Sequence, residues 1–175
     1  MTSDIWDRVR QKKLRVLSSY KDEFKDVFAN FGKQSHKFSS FGPFYELYLY
    51  CFSIGFHSNV RLAIDKKETA TFNLVSEWKY NQQSILKNFL TALICEDDIR
   101  SEIDFDFFTL ENKDISDVNK RVDNLIRVFE EFANGGFKIL KEAYDEDPEE
   151  FHDFRSLYAF FNEKVENSKR LMKSI

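Results

Sequence analysis

Residues 42–64, GPFYELYLYCFSIGFHSNVRLAI, hold the densest apolar patch of the sequence, and their reading governs the rest. Between Phe44 and Phe56 the only charge is Glu46. Apolar side chains there fall all around a helical wheel, which marks a helix buried on nearly every side and not a surface helix with one apolar stripe. Pro43 suits the first turn, because the amide it lacks would have had no partner there. The pattern predicts a central core helix over residues 43–56, with Glu46 on the shoulder of its first turn, where the helix dipole favours negative charge. The run is too short for a bilayer, which needs roughly 20 apolar residues. Arg61, Asp65, Lys66 and Lys67 close it off.

Around this helix the composition points to an all-α, single-domain bundle of about six or seven helices spanning residues 1–175. The 20 Phe residues among 175 imply a core of aromatic rings set against Leu and Ile, while 5 Gly and 2 Pro leave few breaks. Ile5, Trp6, Val9, Leu14, Val16 and Leu17 predict a helix over 3–17, and Tyr20, Phe24, Val27, Phe28 and Phe31 a second stripe that stops at Gly32. Residues 33–42 read as a loop carrying His36. Beyond the core helix, Val60, Leu62 and Ile64 read as anchors of a loop. Thr69 is expected to cap a helix containing Phe72, Leu74, Val75 and Trp78, and Ile85 to Ile94 a further core helix closed by the acidic turn at Glu96, Asp97 and Asp98. Residues 104–108 alternate like a strand or plug the core as a loop. A long helix starting at Asp114 or Ser116 is expected to stop at Gly135 and Gly136, where glycine takes a left-handed conformation at little cost. A short helix to Tyr144 follows, and Pro148 opens the last one.

Charge is distributed unevenly. Residues 8–37 carry nine Lys or Arg against three acids, whereas residues 96–153 carry nineteen acids against seven bases, within a net charge of -4. Arg8, Arg10, Lys12, Lys13 and Arg15 crowd the first predicted helix, either as a solvated face or as a strip that meets nucleic acid or an acidic partner. Cys51 and Cys95 sit in apolar contexts without a CxxC spacing. Asp4, Asp7, Arg8 and Arg10 interrupt any leader-like apolar run, so an intracellular, cytoplasmic chain without a membrane span is expected.

Catalytic chemistry is hard to assemble from these residues. Nucleophilic catalysis needs a nucleophile, a base and an orienting group, and His36, His57 and His152 lie far apart in sequence. The Asp97-Asp98 pair lacks the Gly and closing Glu of a calcium loop. Gly135-Gly136 follows a helix and precedes Phe137, unlike a phosphate loop. No cofactor and no metal are called for. The readings that remain are a non-catalytic interaction subunit, a nucleic-acid binder using the basic strip with Arg61, and a small-molecule enzyme with a site inside the bundle near His57 and Arg61.

Two stretches carry a resemblance. FYELYLYCFSIGFHSNVRLAI, with its helix, glycine and basic turn, resembles a segment of small helical proteins encoded beside bacterial DNA phosphorothioation genes, the Dnd-type phage-defence systems. FANGGFKILKEAYDEDPEEF is similar to a stretch near the C-terminal end of such accessory proteins. The resemblance implies an accessory subunit of a multi-protein antiviral assembly, with protein partners and DNA reached directly or through the complex. Its matching residues are Gly55, His57, Asn59 and Arg61 in the turn, and Gly135 with Gly136 in the second stretch. The acidic C-terminal half departs from what a DNA-contacting member would show.

Overall fold

A computed structural model of the chain describes residues 3–29, 42–105, 115–151 and 154–172. Among them it is mostly helical, with seven α-helices and one two-stranded sheet, so the all-α expectation holds only in its coarser form. His36, His152, the Phe31-Gly32 helix stop and the rings at 107 and 108 fall outside the described residues.

The first correction concerns residues 3–17, where helix α1 (Ser3–Arg10) gives way to strand β1 (Lys13–Leu17). Ile5 and Val9, four apart, form the buried face of α1. In β1 burial alternates, with Leu14 and Val16 inside, the period of two that a strand imposes. Its partner is β2 (Thr69–Leu74). Thr69 therefore opens a strand and not a helix, and a 3-10 turn at Val75–Glu77 follows.

Contact density divides the chain into two compact units, Met1–Leu14 with Asn73–Glu130, and Arg15–Phe72 with Glu131–Ile175. In the first, α4 (Tyr80–Cys95) packs against α5 (Asp97–Glu102). The expected helix stop at Glu96 is real, but Asp97 and Asp98 form the first turn of α5, where their charge suits the helix dipole. Leu86, Leu90, Leu93 and Ile94 point inward, and the Trp78 indole donates to the Asn73 carbonyl at 3.2 Å.

The second unit holds α2 (Ser18–Val27), α3 (Phe44–His57) and α7 (Phe154–Met172). The expected core helix is α3, packed against α7, with Leu47, Tyr48, Cys51, Phe52 and Ile54 at or near zero exposure. Phe137 stacks on Tyr20, Phe24 and Phe44 at centroid distances of 5.7 to 6.1 Å. Offset stacking of this kind adds about 0.5–1.5 kcal/mol per pair beyond burial. Glu46 folds back so that its carboxylate accepts the Gly42 amide at 3.0 Å, which ties the residue ahead of Pro43 to the first turn of α3.

Helix α6 (Ile115–Glu146) is unbroken through Gly135 and Gly136, which overturns the expected stop there. Pro148 begins a 3-10 turn, Pro148–Phe151, ahead of α7. No described helix is long and apolar enough to cross a membrane.

Candidate functional site

The residues nominated at 55–61 and 135–136 come together in the second unit, and their geometry is that of a lock. Ser58 caps α3, the Asn59 amide bonds the Phe56 carbonyl at 3.1 Å and the Val60 amide bonds the Gly55 carbonyl at 2.9 Å. This is a Schellman cap, and Asn59 supplies its left-handed residue at φ 51°. The His57 imidazole bonds through Nδ1 to the Ser53 carbonyl at 2.8 Å. With that carbonyl as acceptor, Nδ1 carries the proton and Nε2 is left as the free ring nitrogen.

The glycines explain why the two segments can meet. A Cβ on Gly136 would overlap the Cys51 carbonyl oxygen, one on Gly55 would lie 2.8 Å from the Gly136 nitrogen, and one on Gly135 would lie 2.7 Å from the Val60 carbonyl carbon. Main chain, not side chain, fills each space. Arg61 then reaches the buried Glu131 carboxylate through Nε at 3.1 Å and through Nη2, while its guanidinium lies 5.4 Å from the Phe132 ring centroid. The Leu62 amide bonds the Glu131 carbonyl at 3.0 Å. Arg61 thus holds a loop to a helix.

The basic N-terminal residues occupy a different setting. Arg8 donates to the Asn119 side chain, Lys12 pairs with Asp123 at 2.5 Å, and Arg10 lies 3.9 Å from Asp7. Lys13 projects from the exposed face of β1. The Arg15 carbonyl accepts from Tyr48 at 2.9 Å and from the Asn134 amide at 3.3 Å, and Asn134 Oδ1 accepts the Leu17 amide at 2.8 Å. Fully buried Asn134, which the sequence did not mark out, therefore satisfies β1 on both polarities.

Ionisation follows burial. Cys51 is fully buried, and desolvation pushes its thiol well above the ordinary range, which makes it inert as a nucleophile. Burial also raises the Tyr20 and Tyr50 hydroxyls. Hydrogen bonds to Asp145 and Glu23 raise Lys141. Cys95 is exposed. Among the described residues no group of three or more His, Cys, Asp or Glu is placed to hold a metal.

One surface feature escaped the sequence. In the first unit Trp6, Tyr80, Gln83, Ser84, Lys87 and Asn88 line a groove of about 280 Å³. Tyr80 is 86% exposed and Ile85, on the next turn, 40%. Lys87 holds its ammonium 5.9 Å from the Trp6 ring centroid. From Lys79 to Cys95 there is no acidic residue, in a chain with 30 of them. That acid-free run was the signal available in the sequence. A second groove, about 440 Å³, is walled by Glu146, Asp147, Glu150 and Glu163 beside Phe160.

Fold and site together define a mostly helical protein with a locked internal turn and an acid-free helix surface. No family model, curated protein or solved structure matches the chain.

Proposed function

We propose that the chain is a non-catalytic interaction subunit of a bacterial anti-phage or DNA-processing complex, working in the cytoplasm through contacts with other proteins. The observation that carries this reading is the outward surface of α4. Tyr80, Asn81, Ile85 and Asn88 stand on it, two of them large and apolar, and the one charge that α4 carries is Lys87. Charge depletion with exposed aromatic side chains is what distinguishes the centre of a protein interface from ordinary surface. The resemblance to accessory proteins of DNA sulfur-modification systems supplies the setting.

The alternatives draw less support. Direct nucleic-acid contact by Arg8, Arg10, Lys12, Lys13, Arg15 and Arg61 needs cations free to replace counterions. Arg8, Lys12 and Arg61 are already engaged with Asn119, Asp123 and Glu131. An enzyme site at His57 and Arg61 would need a guanidinium that Glu131 already holds. The test is affinity capture of the tagged chain from a native host, beside an Ile85→Lys variant. A stoichiometric protein partner that the variant loses is expected. Recovery of the chain alone would end this reading.

A further inference from the structure

We infer that the groove between Trp6 and the first turns of α4 receives an aromatic side chain from an acidic segment of a partner protein. This rests on the reading of the chain as an interaction subunit and names the chemistry of the partner.

Size sets the first limit. At about 280 Å³ the groove lies at the lower edge of small-molecule sites, so it suits one or two side chains better than a cofactor. Its walls set the second. The half-buried Trp6 ring and the exposed Tyr80 ring, both with few rotatable bonds, offer flat apolar contact at low entropic cost. Gln83, Ser84 and Asn88 add polar groups to the lining. The Gln83 amide is held by the Trp78 carbonyl at 2.7 Å and the Ser84 hydroxyl by the Tyr80 carbonyl at 3.1 Å. Both are thereby fixed, while Asn88 is exposed and can donate to an extended main chain.

Charge decides the partner. Lys87 faces the Trp6 ring, and among the described residues no carboxylate is within ion-pairing distance of it. Since α4 carries no acid of its own, the groove complements a carboxylate beside the inserted ring. A nucleic-acid strand would need several cations tracking its phosphates as well as stacking platforms. A single lysine in the groove lining does not provide that.

The experiment selects a displayed random nonapeptide library on the full chain at about 150 mM salt, the ionic strength at which surface charges are screened beyond ~8 Å. Enrichment of Phe, Tyr or Trp within two positions of Asp or Glu is expected. A synthetic peptide of the leading sequence should bind at least tenfold more weakly to Tyr80→Ala and to Lys87→Glu, both checked for native helicity. Lys87→Glu should also come to prefer the same peptide with its acid changed to Lys. The inference falls if no peptide is enriched, if enriched peptides lack the acid, or if both variants bind as well as the parent. It falls equally if an oligothymidine displaces the peptide and binds more tightly. Capture of a host partner that survives Tyr80→Ala and Lys87→Glu but not Ile85→Lys would sink the groove and leave the interaction reading standing.

Discussion

Arg61 shows how a residue with every appearance of a binding group serves the fold. Its guanidinium grips Glu131 through two nitrogens and lies beside the Phe132 ring, with about a third of the side chain still exposed. Removing it takes two charged donors from a buried carboxylate, a loss of the kind that costs ~3–5 kcal/mol in a dry interior and less here because water reaches the pair. Arg61→Gln should therefore lower the unfolding free energy by about 2 kcal/mol, read from the urea midpoint with the slope unchanged. Glu131→Gln, which keeps shape and one acceptor, should cost about half as much by the same reasoning. A loss under ~0.5 kcal/mol in Arg61→Gln would place the pair among solvent-screened surface contacts. The sequence could single out Arg61 because it stands alone after an apolar run, but Glu131 lies 70 residues away inside an acidic half where nothing distinguishes it. The thiols give a second residue-scale prediction. One thiol per native chain, Cys95, should react with a disulfide reagent, and two after unfolding. Because burial raises Cys51, the native state keeps a proton that the unfolded chain releases near pH 8.5. Stability present below that pH should fall above it, by up to about 1.4 kcal/mol per pH unit. Cys51→Ala should remove the slope in the window below about pH 10, where Tyr20, Tyr50 and Lys141 do not yet titrate in the unfolded chain.

Elements meet here through backbone, and this reverses the usual rule for glycine in a helix. Replacing a mid-helix glycine by alanine ordinarily gains ~0.8–1.0 kcal/mol. In α6 and α3 the added methyl would strike main chain: Cys51 for Gly136, Phe132 for Gly55. Main chain cannot rotate aside as a side chain does. Gly136→Ala and Gly55→Ala should therefore each lose about 3 kcal/mol or more, an overpacking cost at the upper end of its range. Gly42→Ala is the control, since its methyl would meet side chain and not main chain, the Glu46 carboxylate at 3.1 Å. It should stay within about 1 kcal/mol of the parent in the same melts. Equal Tm values for all three would show that the segments part without cost. The sequence reading took Gly135-Gly136 as a helix stop because local propensity favours it. What overrode propensity was a neighbour some 80 positions earlier in the chain. The same limit applied to β1. Its alternation was visible, yet Ile5 and Val9 at helical spacing joined it to α1, and its partner β2 lies beyond the whole of α3. The core helix itself was legible because its burial is encoded in its own composition, without reference to a partner.

For the whole molecule, part of the charge polarity read along the chain is paired off within the units. Basic residues of the N-terminal third meet acids and amides of the C-terminal half within each unit: Lys12 with Asp123 in one, and Glu23 with Lys141 in the other, where the signs are reversed. A count along the sequence cannot register such pairing, because each pair spans more than 100 positions. The consequence concerns polyanions. If Arg8, Arg10, Lys12, Lys13, Arg15 and Arg61 each displaced a counterion from duplex DNA, binding would fall with salt at a log-log slope of about five, near 0.9 per phosphate contacted. With Arg8, Arg10, Lys12 and Arg61 engaged by Asn119, Asp7, Asp123 and Glu131, the expected slope is below about two, and with a net charge of -4 binding should be weak even at low salt. Fluorescence anisotropy of a labelled 20-base-pair duplex between 25 and 200 mM salt measures it. A slope near five would favour the DNA-binding reading over the proposed interaction surface on α4. A shallow slope together with a captured protein partner would favour the interaction reading over direct contact with DNA.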